Sequence, residues 1–323
     1  PEGAEAYRAA ETALWRSLGA EPTEREVLLP RLGARVRVQE LGAGEPVLYV
    51  HGGPSAGTNW APLAANMAGF RSIVVDRPGS GLSEPLPLDA DSLGGFADRF
   101  VVDLLDALEL DRAHVVASSF GGFLALRAAA VAPDRIDRMV QMACPAGAPG
   151  MQVPPFLRAA AVPPLRRLIT ALPPNEKAGR SALRQIGHGK TLDADGLSPE
   201  FMAWYLSLQR DTRTMANDMR LIGHLVTARG AVHPALSLSD ELLGQVQVPT
   251  CFWWGADDPF GGVEVAERTV APMPNAELVV VADAGHLPWI DDPVQAARAT
   301  ARFLRSTSTP SSAPAPALAG TTA

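Results

Sequence analysis

The sequence has little of what several classes of protein require. Its 323 residues include two cysteines and six histidines. Two thiols are too few for a disulfide framework, and Cys144 and Cys251 stand at no metal-ligand spacing. We therefore predict two buried, apolar cysteines, no metal site and no cofactor. No uncharged apolar run reaches the roughly 18 residues of a membrane span. The first residues show no signal-peptide pattern, so we expect a cytoplasmic protein.

Positive charge is also in deficit. Lysine and arginine total 28 against 35 aspartates and glutamates, a formal net charge of -7. This balance argues against a nucleic-acid backbone as partner and leaves a small-molecule substrate as the expected one. Hydrophobic residues make up 47% of the chain and charged residues 20%, as in a globular protein. The length suffices for one large α/β core with an inserted subdomain.

Short apolar runs, typical of strands buried on both faces, recur through the chain. They cover residues 46–50, 72–75, 113–117, 139–143, 250–254 and 277–281. Helical patterns separate the first four, including 96–110 and 123–131. Alternating strands and helices predict a parallel sheet with helices on both faces. Before them, residues 4–18 predict an amphipathic helix and residues 27–32 and 35–40 a hairpin.

The alternation stops after Cys144, which divides the chain. Residues 145–243 show proline-punctuated helical patterns and no strand pattern. We interpret them as a helical cap over the carboxyl edge of the sheet, where ligands of open α/β folds bind; the alternative is an extra helical layer. Residues 1–144 and 244–305 would then form the core. Residues 306–323 carry no charged side chain, and we predict a flexible tail.

The most informative motif is a serine between a strand and a helix. The apolar run 113–117 leads directly into Ser119, and an alanine-rich helical pattern follows. A serine at such a corner presents its hydroxyl above the sheet, as in a nucleophile elbow. The corner needs small residues two positions before and after, which are Ala117 and Gly121. The alternative is a serine that caps a helix.

Two later loops supply the partners that a nucleophilic serine needs. Asp257 and Asp258 follow the run 250–254, and His286 follows the run 277–281. An imidazole removes the serine proton during attack, and a carboxylate holds the imidazole in the correct tautomer. The order Ser119, aspartate, His286 is the one associated with the elbow. Neighbouring aspartates point in different directions, so at most one of them faces the histidine.

A fourth segment follows the first buried strand. His51 is succeeded by Gly52, Gly53 and Pro54, and glycines let backbone N–H groups approach a ligand closely. We assign the oxyanion donors to the N–H of Gly53 and that of Phe120, which also lies at a helix N-terminus. His51 is an alternative base. The glycines are alternatively a simple turn or a weak phosphate loop, although the usual phosphate-binding patterns are absent.

Together these segments resemble the capped α/β-hydrolase-fold superfamily, over about residues 26–304. The likeness lies in residues 51–54, 76–83 and 117–122 and in the loops of Gly255 and His286. It implies an eight-stranded, mostly parallel sheet with an all-helical cap inserted after the sixth strand. It selects Asp258 over Asp257, because the family's aspartate usually lies three residues after the loop glycine. It also implies that residues 76–83 are structural.

Several positions depart from the patterns of particular subfamilies and so restrict the expected reaction. Ser119 stands where haloalkane dehalogenases and epoxide hydrolases carry aspartate, and Phe120 where proline iminopeptidases carry tryptophan. Ring-cleavage product hydrolases usually have asparagine before the serine and tryptophan after the histidine; here these are Ser118 and Leu287. We therefore expect a cofactor-independent serine hydrolase that cleaves an ester, lactone or thioester.

Two alternatives stay open. One is C–C bond hydrolysis or perhydrolysis with the same triad, and the other is a non-catalytic ligand-binding or biosynthetic member of the fold. Five aromatic residues near the active loops or in the insertion are candidates for a hydrophobic substrate pocket: Trp60, Trp204, Tyr205, Phe260 and Trp289.

Overall fold

A computed structural model describes residues 3–307. Most of the tail predicted for residues 306–323 therefore lies outside the described residues. Within residues 3–307, no helix has both the length and the apolarity needed to cross a bilayer.

Eight strands form one mostly parallel sheet, as the resemblance implies. Its spatial order is β1-β2-β4-β3-β5-β6-β7-β8. Strands β1 and β2 form the predicted hairpin, β2 also runs antiparallel to β4, and all remaining pairs are parallel. The strands are β1 (Thr23–Leu29), β2 (Ala34–Gly42), β3 (Glu45–Val50), β4 (Phe70–Val75), β5 (Ala113–Ser118), β6 (Ile136–Met142), β7 (Thr250–Gly255) and β8 (Ala276–Val281).

Fourteen α-helices occur in the described part of the chain. Those outside the span between β6 and β7 are α1 (Ala4–Ser17), α2 (Ala61–Ala64), α3 (Ala90–Ala107), α4 (Ser119–Val131), α12 (Val263–Val270), α13 (Pro288–Asp291) and α14 (Pro293–Leu304). Those within it are α5 (Pro155–Arg158), α6 (Pro163–Ala171), α7 (Glu176–Gln185), α8 (Gly189–Asp193), α9 (Pro199–Asp211), α10 (Thr214–Leu225) and α11 (Asp240–Gly244). Short 3₁₀ turns cover Gly57–Trp60, Pro133–Arg135, Ala159–Ala161 and Pro234–Leu236.

The continuous apolar runs have a simple cause: the sheet is covered on both faces. Along β3, Leu48 and Val50 belong to one hydrophobic cluster, while Val47 and Tyr49 belong to the cluster on the opposite face. Since successive side chains of a strand point to opposite faces, every position must be apolar when both are covered. Helices α3 and α4 pack on the first face, and α1 and α14 on the second.

The chain between β6 and β7, residues 143–249, is helical apart from turns and one isolated bridge between Val226 and Val232. We call this span the helical insertion. Helix α9 of the insertion packs against α1, where the Trp204 indole N–H donates to the Tyr7 hydroxyl at 3.3 Å. Prolines of the insertion begin α5, α6 and α9. Proline is tolerated at the start of a helix because the backbone N–H that it lacks would have no intrahelical partner there.

The register of the central strands decides which loops meet. Val50 of β3 pairs with Val75 of β4 and with Ala117 of β5. The segments that follow these three strands therefore leave the same edge of the sheet side by side. The loop glycine Gly255 and Val281 are paired where β7 and β8 end, at the carboxyl edge of the same sheet.

Candidate active site

Ser119 lies at a sharp corner between β5 and α4. Its backbone has φ = +52°, the left-handed region that non-glycine residues rarely occupy. The corner is packed against the end of β3. A Cβ on Gly121 would overlap the Val50 carbonyl oxygen and lie 2.6 Å from that of His51, and a Cβ on Gly52 would lie 2.7 Å from Ser119 Cβ. Small residues are needed here because two backbone segments touch.

His286 is held by a carboxylate in a buried setting. Its Nδ1 lies 2.8 Å from Asp258 Oδ2, and the two residues are 5% and 4% exposed. Asp258 also accepts the backbone N–H of Cys144 at 2.9 Å and, through Oδ1, that of Phe260 at 2.9 Å. The Phe260 ring packs against the imidazole, with centroids 4.2 Å apart. These contacts fix the ring with Nδ1 toward Asp258 and leave Nε2 to act elsewhere.

The two neighbouring aspartates have different surroundings. The Asp257 side chain is about half exposed and faces Lys190 across 3.4 Å. Its backbone N–H donates to the Ala284 carbonyl. Of the pair, Asp258 is therefore the one that faces His286.

His51 has both ring nitrogens engaged. Nδ1 donates to the Gly52 carbonyl at 2.6 Å, and Nε2 accepts the Arg77 backbone N–H at 3.1 Å. The residue has no exposed surface, and burial holds the pKa of its imidazole well below the usual value, with Arg77 adding to the effect. A neutral, doubly bonded ring has no nitrogen left for a proton transfer, so His51 supports the loop rather than serving as a base.

Ser119 and His286 line the same cavity, roofed by the helical insertion. The cavity holds about 100 Å³. Core loops supply Gly52, Gly53, Pro54, Ser55, Asn59, Ser118, Phe260 and Leu287, and the insertion supplies Phe156, Leu157, Ala182, Leu183, Ile186, Phe201 and Tyr205. A second, mainly apolar cavity of about 80 Å³ adjoins it, sharing Gly53, Ser119, Leu157 and Phe260. Ser119 thus stands between two compartments.

Two backbone donors border these cavities. Within residues 3–307, the N–H groups of Gly53 and Phe120 donate to no protein acceptor. Phe120 is in the first turn of α4, where N–H groups have no intrahelical partner. Both residues line the second cavity together with Ser119. This is the chemistry that an oxyanion site needs, because free N–H dipoles stabilise developing negative charge.

Arg77 supports the loop that carries Gly53. Its guanidinium donates to the carbonyls of His51 and Gly52, each at 2.9 Å, and lies 5.0 Å from the centroid of the Phe120 ring. It also pairs with Asp218 of α10 at 3.3 Å, with both side chains almost fully buried. Since Arg77 bonds to the loop of Gly53, packs on the Phe120 ring and pairs with Asp218, it connects the two donor residues with the insertion.

Asp76, the first residue of the segment 76–83, bonds to backbone and side-chain groups of the core. Asp76 accepts N–H groups from Gly57 at 2.8 Å and Leu82 at 3.1 Å and pairs with Arg37 at 3.0 Å. Arg37 in turn pairs with Glu11 of α1 at 2.5 Å. This network ties the segment to α1 and β2, on the side of the sheet away from Phe120.

The aromatic candidates divide into two groups. Tyr205 and Phe260 lie in the cavity walls. Trp60, Trp204 and Trp289 do not: each has no exposed surface and packs in the core, with the rings of Trp60 and Trp289 stacked 4.0 Å apart. The structure corrects the expectation for these three. An indole that meets its packing neighbours on both faces has no surface to offer a substrate.

Several residues at the site had no distinguishing signal in the sequence. Arg77 falls in the segment set aside as structural, Asp218 lies on α10 of the insertion, and His188 lies in the turn before α8. Their partners are remote in sequence, so spacing could not show them. No group of three or more potential metal ligands is assembled anywhere in residues 3–307.

Comparisons with known proteins identify the family of the chain. A family model described as alpha/beta hydrolase fold matches residues 45–293. A 2-hydroxy-6-oxononadienedioate/2-hydroxy-6-oxononatrienedioate hydrolase of Cupriavidus pinatubonensis is 28% identical over 258 residues, 78% of this chain and 84% of the relative.

Solved structures show the same fold. The carboxylesterase CesB of Bacillus subtilis superposes with a TM-score of 0.75 at 21% identity, covering 94% of this chain and 99% of the other. A meta-cleavage product hydrolase of Pseudomonas fluorescens gives 0.65 at 22% identity, covering 86% and 96%. At these identities the structural matches show the fold and do not identify a substrate.

Proposed function

Since this chain belongs to the α/β-hydrolase fold family and is a hydrolase, we propose that it cleaves a small hydrophobic ester, lactone or thioester through an acyl-enzyme on Ser119. The observation that carries the proposal is a single cavity wall that contains Ser119 and His286, with Nδ1 of His286 bonded to Asp258 at 2.8 Å. In this proposal the helical insertion is the cap that encloses the substrate.

The mechanism follows from the roles of these atoms. Ser119 Oγ attacks the substrate carbonyl while His286 Nε2 takes its proton, and Asp258 stabilises the resulting imidazolium. The N–H groups of Gly53 and Phe120 donate to the oxyanion of the tetrahedral intermediate. His286 then protonates the leaving group, activates a water molecule that attacks the acyl-enzyme, and returns its proton to Ser119.

The two compartments fit the two halves of an ester. The second cavity has mostly apolar walls: Ala146, Met151, Val153, Leu157, Leu221, Ile222, Leu225, Val226, Leu236 and Phe260. It takes an apolar acyl or alkyl group beside the carbonyl, and the first cavity takes the other half. Among the described residues that line either cavity, the one arginine or lysine is Arg77, which is paired with Asp218 and two carbonyls. A neutral substrate therefore suits this site better than a carboxylate, whose burial requires an unengaged cation.

C–C bond hydrolysis is the second candidate, because curated relatives at 26–29% identity carry names of dienoate and dienedioate hydrolases. The same serine, histidine and N–H donors would serve a vinylogous diketone. Against it stand Ser118 and Leu287, where ring-cleavage product hydrolases usually carry asparagine and tryptophan, and the lack of an unengaged cation along the described cavity walls.

A substrate panel with an active-site probe tests the proposal. We expect p-nitrophenyl esters of short acyl chains or small lactones to be turned over by the wild type and not by Ser119→Ala. A fluorophosphonate should add one label, located by peptide mapping at Ser119; Ser118→Ala should keep that label and Ser119→Ala should lose it. Turnover of a ring-cleavage product without esterolysis would instead support the C–C alternative. Labelling that persists in folded Ser119→Ala would refute both.

A further inference from the structure

One segment of the helical insertion contacts the loop that carries His286. We call residues 284–287 the base loop and residues 186–191, between α7 and the end of the first turn of α8, the clamp segment. The His286 N–H donates to the Ile186 carbonyl at 2.9 Å, and the Leu287 N–H donates to His188 Nε2 at 3.1 Å. The Gly285 N–H donates at 3.0 Å to Asp291, the residue that His188 also contacts. Three consecutive amides are thus held in place.

His188 is the centre of this arrangement. Its side chain has no exposed surface, and its Nδ1 lies 2.8 Å from Asp291 Oδ1. Because Nε2 accepts the Leu287 N–H, Nδ1 carries the proton and donates it to Asp291. The Thr191 hydroxyl donates to the same carboxylate oxygen. The site therefore holds a second histidine–aspartate pair beside that of His286, in which the histidine is turned toward a backbone N–H.

Close packing prevents the two segments from approaching each other further. A Cβ on Gly187, whose φ is +96°, would lie 2.7 Å from Gly285 Cα and 2.5 Å from the Asp257 carbonyl oxygen. A Cβ on Gly285 would lie 2.6 Å from the Ile186 carbonyl oxygen. Both glycines are needed for a backbone-to-backbone contact, so a shift of the clamp segment moves the base loop.

We propose that His188 is a positioning residue: together with Asp291 it fixes the base loop, so that the insertion, and not the core alone, places His286 opposite Ser119. This inference rests on the proposed function for the identity of the base. His188 touches none of the reacting atoms and does not itself line the cavity. It acts through the Leu287 N–H, one residue beyond the imidazole, where a small displacement is transmitted directly to Nε2 of His286.

The expected effect is on turnover rather than on binding. A displacement of about 1 Å in a catalytic group can lower the rate about 10²-fold. Most of the cavity wall lies outside the base loop, which contributes His286 and Leu287, so KM should change much less than kcat. The Nδ1 contact to Asp258 should weaken as well, since Asp258 is held independently by the N–H groups of Cys144 and Phe260 and does not follow the base loop.

Two substitutions separate the bonds of His188. In His188→Gln the amide oxygen can accept the Leu287 N–H, while His188→Asn keeps a donor near Asp291 but is too short to offer that acceptor. We expect kcat to fall about 10²-fold in His188→Asn with KM within about threefold, and to stay within about fivefold of wild type in His188→Gln. His224→Asn, an exposed histidine of α10, is the matched control and should leave both constants unchanged.

A spectroscopic measurement distinguishes a displaced His286 from a misfolded variant and does not depend on turnover. The proton between His286 Nδ1 and Asp258 gives a downfield NMR signal that is present when the ring is held. We expect the signal in wild type and in His188→Gln, and its broadening or loss in His188→Asn at temperatures where circular dichroism shows both variants folded. A merely structural role predicts equal losses of thermal stability in the two variants with this signal intact.

The outcomes distinguish the two proposals. If His188→Asn keeps wild-type kcat and the downfield signal while Ser119→Ala is inactive, the positioning role is overturned and the proposed function stands. If Ser119→Ala retains full turnover, the proposed function fails, and the signal still decides whether His188 holds His286. Equal loss of kcat in the Gln and Asn variants would also overturn the role of the Leu287 bond.

Discussion

The tight contact between the serine corner and the end of β3 leads to a quantitative prediction for Gly121→Ala. The new methyl group would overlap the Val50 carbonyl oxygen and lie 2.6 Å from that of His51, whereas an ordinary contact is at least 3.4 Å. Both obstacles are backbone atoms, so they cannot rotate away. The strand end must retreat by about 0.8 Å to restore an ordinary contact at the His51 oxygen, and by more at the Val50 oxygen, which lies nearer.

The energetic and catalytic consequences are of different sizes. Overpacking costs about 1–3 kcal/mol, and alanine recovers about 1 kcal/mol of helix propensity, so we expect a net loss of up to about 2 kcal/mol. The displaced strand end carries Gly52 and Gly53, and a shift of about 1 Å at such a site can cost about 10²-fold in rate. We therefore expect Gly121→Ala to lower kcat about 100-fold while the protein stays folded.

Gly95→Ala is the matched control. Gly95 lies on an exposed face of α3, and a Cβ there would have no atom within 4 Å. We expect this variant to gain about 0.5–1 kcal/mol and to keep wild-type turnover. Urea denaturation and steady-state kinetics on both variants measure the two effects. Wild-type stability and turnover in Gly121→Ala would refute the argument, because the corner would then accommodate a methyl group without moving the end of β3.

Three further predictions concern charge and protonation at the site. Asp258→Asn should lower kcat by about 10⁴ by favouring the wrong imidazole tautomer, whereas Asp257→Asn should stay near wild type; similar losses in the two would contradict the assignment. Arg77→Met should lower the free energy of unfolding by about 3–5 kcal/mol, because Asp218 is left buried without its partner. Adding Asp218→Leu should recover much of this loss, as measured by urea denaturation. No recovery would refute the pairing argument. His51 has a folded pKa held below its unfolded value by burial, so the unfolded state binds the extra proton as pH falls below about 6.5. Stability should then drop by up to about 1.4 kcal/mol per pH unit in wild type and less steeply in His51→Asn, and equal slopes in urea melts would contradict the burial argument.

Much of the fold follows from local patterns. The buried strands were recognisable because both faces of the sheet are covered, which forces continuous apolar runs in β3, β5 and β7. Strand ends were less well predicted. The strand β6 begins at Ile136, where it already pairs with β5, three residues before the predicted run. The apolar pattern did not show this start because Asp137 and Arg138 interrupt it. Hydrogen bonding of the backbone does not require an apolar side chain.

The candidate site was predictable to the extent that its residues follow strands. Ser119, Asp258 and His286 each follow a strand of the sheet within a few residues, and the segments that follow parallel strands leave the sheet at one edge. The tryptophans show the limit of this reasoning. Proximity in sequence to an active loop predicted Trp60 and Trp289 as pocket residues, whereas the structure buries both side chains completely in the core. A side chain's direction depends on what packs around it, which local pattern does not encode.

The amino-acid sequence by itself determined the order of strands and helices, the corner at Ser119 and the loops that carry the candidate acid–base residues, because periodicity, small residues and strand ends are local properties. The structure brings His286 to Asp258, the aspartate that the family resemblance already selected over Asp257. Tertiary structure alone decided that Arg77 joins the donor loop to Asp218 and that His188 reaches the backbone beyond His286. Those contacts join residues far apart in the chain. They exist only once the insertion has folded against the core, since nothing in the spacing of either partner specifies the other.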